Sequence, residues 1–205
     1  MSACALVKGS PQALVRRLML GGGLVAAALS LSACGPSPLL TYDLSAPKAT
    51  SVRPISLQIV IPEPSAVAPF DADRIVVRSP AQGITVLPGA QWSDRLPELL
   101  QSRMIQAFEN AKLLRAVGRP GDRIVADYSL VSEVRRFEID AGAGEAVVEL
   151  SVKLVGERSG RIGPARVFEG RAPAAARDGA GASAALDVAL SSVLRSLVTW
   201  AAQAR

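Results

Sequence analysis

Apolar and polar positions alternate along this chain with two periods, and the switches between them outline the elements. Ile55, Leu57, Ile59 and Ile61 alternate with Ser56, Gln58 and Val60, which predicts a strand that Pro62 and Pro64 end. Residues 73–78 (Asp-Arg-Ile-Val-Val-Arg) predict a second strand and Gly83–Leu87 a third, with turn chemistry over Ser79–Gly83 between them. The period then lengthens. Trp92, Leu96, Leu99, Leu100, Met104, Ala107, Phe108 and Ala111 recur three or four residues apart, one apolar face of a helix. Ser93 or Asp94 is placed to cap it, and Pro97 falls in its first turn, where a missing N–H matters least.

After a short strand at Leu114–Val117 the two-residue period returns. Residues 123–139 predict a long strand whose apolar phase shifts between Leu130 and Phe137, the mark of a bulge or a bend. Ala146, Val148, Leu150, Val152 and Leu154 alternate cleanly against Glu145, Glu149 and Lys153, a strand with one buried face. Arg166–Arg171 completes an expected antiparallel meander. Residues 172–183, rich in Ala and Gly, read as a loop, and 184–204 as a second amphipathic helix with Leu186, Leu190, Val193, Leu194 and Leu197 inward. Strands, helix, strands, helix, each helix with one apolar face, predict an α/β fold. It is expected to be a compact sandwich of a mixed β-sheet with an antiparallel meander, packed by two amphipathic helices. A strand before the first helix and one after it can be parallel neighbours through a crossover.

The start of the chain follows a different logic. Lys8, Arg16 and Arg17 precede an apolar run from Leu18 to Leu31, too short to span a bilayer, and small residues follow in Leu31-Ser32-Ala33-Cys34. This is the layout of a secretory signal ending in a lipobox. Small Ser32 and Ala33 suit a peptidase cleft, cleavage falls between Ala33 and Cys34, and the Cys34 thiol is the expected carrier of a diacylglyceryl thioether. The expected organisation is a signal peptide over 1–33, an acylated N-terminus and flexible tether over 34–54, and a folded domain over 55–205. Tyr42 and Leu44 interrupt the tether, either as linker residues or as a short strand docked on the domain's edge.

Composition narrows the function. The signal holds three cations and no acid, so its removal lowers the formal net charge from +5 to +2. No cluster of Lys and Arg interleaves with aromatics, which argues against nucleic-acid binding. The sequence contains no histidine and two cysteines, Cys4 in the signal and Cys34 in the lipobox. A Ser–His–Asp triad, a His-rich zinc site and a disulfide within the mature chain are therefore all ruled out. The chain reads as a non-enzyme that needs no cofactor and no metal. Candidate contacts for a partner or a lipid headgroup are Phe70, set between Pro-rich turns, and Arg74 and Arg78, four residues apart on one strand face. Burial of Phe70 and solvation of the two arginines are the plainer alternatives. Trp92 is expected to pack at the helix start, and Arg135, Arg136 and Glu138 to decorate a solvent face.

The lipobox is followed in order by Tyr42-Asp43-Leu44, Ile61-Pro62-Glu63, Arg74-Ile75-Val76-Val77-Arg78, Trp92-Ser93-Asp94-Arg95-Leu96 and the strand from Tyr128-Ser129-Leu130 to Arg136-Phe137-Glu138. This order resembles the ABC-type transport auxiliary lipoproteins of the paraquat-inducible, intermembrane-transport type. The resemblance implies a compact α/β sandwich without catalytic residues. The implied partners are a mammalian-cell-entry-type substrate-binding protein and an ABC permease and ATPase, which move phospholipid or another hydrophobic solute between membranes; a homo-oligomer is left open. Membrane contact is expected through acyl chains on Cys34. Gly35, where enterobacterial lipoproteins retained in the inner membrane carry Asp, points to the periplasmic face of the outer membrane, with the inner membrane as the other location. The reading from a different class is an assembly or pilot lipoprotein for an outer-membrane complex. A hydrolase using Ser, Asp or Glu without histidine ranks below both.

Overall fold

The longest strand, Tyr128–Asp140 (β6), organises the sheet because both of its edges are occupied. One edge pairs along its whole length with β7 (Glu145–Gly156), and β7 pairs in turn with β8 (Ile162–Pro173); both pairings are antiparallel. The other edge is shared. Near its start, Tyr128 and Ser129 pair in parallel with β2 (Ile55–Val60), which carries β5 (Leu114–Gly118) alongside it. Near its end, Glu138–Asp140 pair in parallel with β3 (Arg74–Arg78), followed by β4 (Ile84–Trp92) and β1 (Leu40–Tyr42). Ser65 bridges to Glu133 between the two groups. Helices α1 (Leu96–Ala111) and α2 (Gly179–Gln203) complete the eight-stranded mixed α/β sandwich. The computed structural model describes residues 39–48, 53–81, 83–174 and 178–203.

Alternation places the core. Ala146, Val148, Leu150, Val152 and Leu154 are all buried, while Glu145, Glu149 and Lys153 are partly exposed. Their β8 partners include Phe168 and Gly170. A Cβ on Gly170 would stand only 2.9 Å from Val193 Cγ2 on α2, which shows that this face lies directly beneath the helix. Trp92 and Phe137 meet edge to face at 5.8 Å in the same core. The expected bulge in β6 is present between Val134 and Arg136, and it moves the buried phase from Leu130, Ser132 and Val134 to Phe137 and Ile139.

Several boundaries differ from expectation. β4 runs on to Trp92 rather than ending at Leu87. Its Pro88-Gly89 step, with Gly89 at φ 71°, falls where the β3–β4 register shifts, so turn chemistry serves here as an irregularity inside a strand. Trp92 therefore closes a strand instead of opening the helix. Arg95, not Ser93 or Asp94, is the N-cap of α1 and makes no side-chain cap bond; the Leu96 amide donates instead to the Ala72 carbonyl (3.0 Å). Residues 124–127 stay outside β6, because Asp127 exchanges bonds with β2: its amide donates to the Gln58 carbonyl (2.8 Å) and its carboxylate accepts from the Gln58 amide (2.9 Å).

The segment expected as a loop over 172–183 is shorter. β8 reaches Pro173, and α2 begins at Gly179 with the Asp178 carboxylate accepting from the Gly181 amide (2.7 Å). Gly179 lies so close to the Tyr42 ring that a Cβ would stand 2.7 Å from Cε2. The small residues that blurred the helical period are thus what let the helix start against β1. Of the two readings of Tyr42 and Leu44, the docked strand holds: Leu40–Tyr42 pairs with β4, and Leu44 is buried.

Candidate functional site

The three expected contact residues do not form one surface. Phe70 is 5% exposed and packs in the core, which corrects its reading as an offered aromatic. Its amide donates to the Val67 carbonyl (2.8 Å), so the turn itself folds the ring inward. Arg74 is half exposed, with Nε 3.4 Å from the Asp73 carboxylate. Arg78 is drawn into a different cluster. Its Nε and Nη2 donate to the two oxygens of Glu138 at 2.7 and 2.8 Å, a bidentate grip. Cys34 and Ala33, the expected acylation and cleavage positions, lie outside the described residues.

Glu138 is the residue the sequence reading misplaced. Expected on a solvent face, it is 0% exposed. Arg136, two residues back on the same strand face, donates its Nε to Glu138 Oε1 (2.8 Å), and its Nη2 lies 3.5 Å from Asp140. Parallel pairing of Val76 with Glu138 and Arg78 with Asp140 sets the third member in place. Hydrogen bonding to Glu138 raises the already high pKa of Arg78, against the opposing effect of burial. Amide bonds from Ala143 and Gly142, with the Arg136 charge beside it, hold the Asp140 carboxyl below the usual range although desolvation opposes them. Both Glu138 oxygens accept guanidinium bonds, so this carboxylate clamps β3 to β6. The local signal was Arg136-x-Glu138-x-Asp140; Arg78 comes from a strand distant in sequence.

Concavities open at both ends of β6. A crevice of about 500 Å³ opens between the β3–β4 end of the sheet and the start of α2, with Val77, Thr85, Leu87, Pro88, Ile139 and Ala182 among its lining. A second, of about 510 Å³, lies at the opposite end of β6 and is lined in part by Leu57, Tyr128, Arg158, Arg161 and Ile162. Among the described residues no three His, Cys, Asp or Glu side chains gather as metal ligands. Helix α2 is long and apolar enough to cross a membrane by length and composition, but Leu186, Leu190, Val193, Leu194 and Leu197 are buried in the core.

Comparison with known proteins follows this architecture closely. A family model described as ABC-type transport auxiliary lipoprotein component matches residues 42–198. An uncharacterised protein of Bradyrhizobium diazoefficiens is 33% identical over 169 residues, covering 80% of this chain and 45% of that relative. The chain thus spans about half the length of the curated relative it matches. The crystal structure of a protein from Xanthomonas campestris is similar with a TM-score of 0.73 at 31% identity, over 80% of this chain and 95% of that one. A hypothetical protein of Chlamydia trachomatis shares the fold alone, with a TM-score of 0.53 at 6% identity over 73% of this chain and 98% of that one.

Proposed function

Because the chain belongs to the ABC-type transport auxiliary lipoprotein component family, we propose that it is the lipid-anchored partner of an ABC system that moves a hydrophobic solute between the two membranes. The observation that carries this reading is the position of the lipobox, whose Cys34 stands a few residues before the matched segment begins at Tyr42. On this reading residues 1–33 are removed, Cys34 takes the acyl chains, and the domain sits on the periplasmic face of the outer membrane. A diacylglyceryl group with an N-acyl chain holds it there, since one chain alone binds only marginally.

The free tether is then brief, because Leu40–Tyr42 already belongs to the sheet. The domain's work is docking. Its partners are a mammalian-cell-entry-type substrate-binding protein and the ATPase–permease pair, and the rigid sheet presents surfaces to them without undergoing chemistry itself. Affinity purification of the full chain from gently solubilised membranes tests the proposal. Recovery of the substrate-binding protein or the ATPase–permease pair supports it. Recovery of an outer-membrane barrel or secretin in their place would identify an assembly lipoprotein and reject it.

A further inference from the structure

The basic side chains of the described residues divide into those with a carboxylate partner and those without. Arg74, Arg78, Arg95, Arg103, Arg135, Arg136 and Arg171 each lie within ion-pair distance of a carboxylate. Eleven other cations have no such partner among the described residues, and two of them, Arg158 and Arg161, line one groove at the start of β6. Arg115 follows Leu114, which pairs with Ile55 at the start of β2, two residues from Arg53, and Lys112 lies two residues before Leu114. Arg158 and Arg161 stand on the β7–β8 turn, which is tied to the loop before β6 by the Glu157 amide donating to the Asp127 carbonyl (3.1 Å). Asp122 accepts from the Arg119 amide (2.7 Å) and Asp127 from that of Gln58 (2.9 Å), while Glu157 beside Arg158 is exposed.

Apolar side chains protrude among these cations. Val125 is 70% exposed and Ile162 65%. The Val125 carbonyl accepts from Gln58 Nε2 (3.0 Å), which fixes that residue beside β2. Ile162 lines the groove of about 510 Å³ together with Arg158 and Arg161. Arg123, two residues before Val125, holds a left-handed backbone conformation at φ 57°, one that side-chain-bearing residues adopt at a cost and that clusters at binding sites.

We propose that this end of the domain, centred on Val125, Ile162, Arg158 and Arg161, docks an acidic protein surface. Its identification with a subunit of the ABC system rests on the function proposed above. Exposed aliphatic residues beside unpaired arginines have the anatomy of a protein interface, in which apolar side chains and guanidinium groups are enriched. The groove is concave and its lining includes no tryptophan, unlike the protruding aromatic and lysine side chains that seat a protein on a bilayer. Its place also suits a partner beyond the anchoring membrane. The chain enters the described fold at β1, in the group that joins β6 at Glu138–Asp140, whereas this end joins at Tyr128 and Ser129. Roughly nine residues of extended strand, about 30 Å, separate the two.

The test places a photo-crosslinking residue at Ile162 in the full chain in living cells, with and without Arg158→Glu and Arg161→Glu. These side chains are exposed, so the reversed protein should melt with the wild type. The expected result is an adduct with an ABC-system subunit, mapped to an acidic face, that falls about tenfold or more on charge reversal, as like charges facing each other across an interface require. An adduct with an acidic face of some other protein, lost in the same way, keeps the docking surface and rejects the functional reading. No protein adduct, or one undiminished by reversal, overturns the proposal. Salt-sensitive binding of the wild type to phosphatidylglycerol vesicles without any protein adduct overturns it as well, and marks this end as a lipid contact.

Discussion

At Gly170 the sheet and α2 pack closely, and replacing it tests whether that packing is as tight as the geometry says. An alanine Cβ there would lie well inside contact distance of the Ala189 carbonyl oxygen, 3.2 Å from its carbon and 2.9 Å from Val193 Cγ2. The Val193 side chain can rotate away; the Ala189 backbone moves only if the helix moves. Displacing α2 would loosen Leu186, Leu190, Val193 and Leu194, all buried in the same core. Overpacking of this kind costs about 1–3 kcal/mol. For a domain of this size that lowers Tm by about 2–12 °C. Gly163 on the same strand is the control, because its Cβ would meet only the Leu154 carbonyl oxygen at 3.4 Å. In general, glycine in a strand is less favourable than alanine, so Gly163→Ala should be neutral or slightly stabilising. Urea unfolding and thermal melts of both variants, in a form of the protein beginning near Leu39, give the comparison. If Gly170→Ala melts with the wild type, the helix does not sit on β8 as described.

Other perturbations probe the remaining links. Val152→Asp would place an unpaired charge at a position 1% exposed and should cost several kcal/mol, read as a large drop in the urea midpoint. Glu138→Gln removes the charge between Arg78 and Arg136; because those side chains are 23% and 26% exposed and keep some water, the loss should be about 1–3 kcal/mol. Asp43 shows the acid dependence. Burial raises its pKa, but bonds from Arg103 and the Leu44 amide outweigh this and hold the carboxyl below its ordinary 3.8. A depressed carboxyl stabilises the fold at pH values above its unfolded pKa, and that contribution disappears as pH falls through the folded value. Asp43→Asn should therefore be less stable than the wild type at neutral pH, with the difference closing on acidification, as thermal melts from pH 7 to 3 will show.

What could be read from the sequence followed from how local the cause was. β2, β7 and, from Leu96 onward, the apolar face of α1 have uninterrupted periods, and each forms where its pattern placed it. The β6 bulge showed itself because an extra residue shifts the phase of everything after it. β4 and the start of α2 were obscured by residues with two uses. Pro88-Gly89 serves turns and strand irregularities alike, and the small residues of 179–182 carry no apolar period, although they are what lets α2 approach Tyr42. Glu138 was out of reach for a different reason. Its burial depends on Arg78, brought beside it by a parallel pairing across sixty residues of chain. The basic end was likewise hidden, because β2, β5 and the β7–β8 turn meet only in the fold.

In the proposed function a self-contained domain is held at the membrane by one lipidated cysteine. Fractionation of cells carrying a form that begins at Gly35 behind an ordinary cleavable signal tests it most directly. This protein is expected to be released with the periplasm after a high-salt wash, while the wild type, held by the proposed Cys34 acyl chains, is expected to stay in the membrane fraction until detergent is added. If the Gly35 form still sediments with membranes in high salt, the domain has a membrane contact of its own and the single-anchor account is wrong.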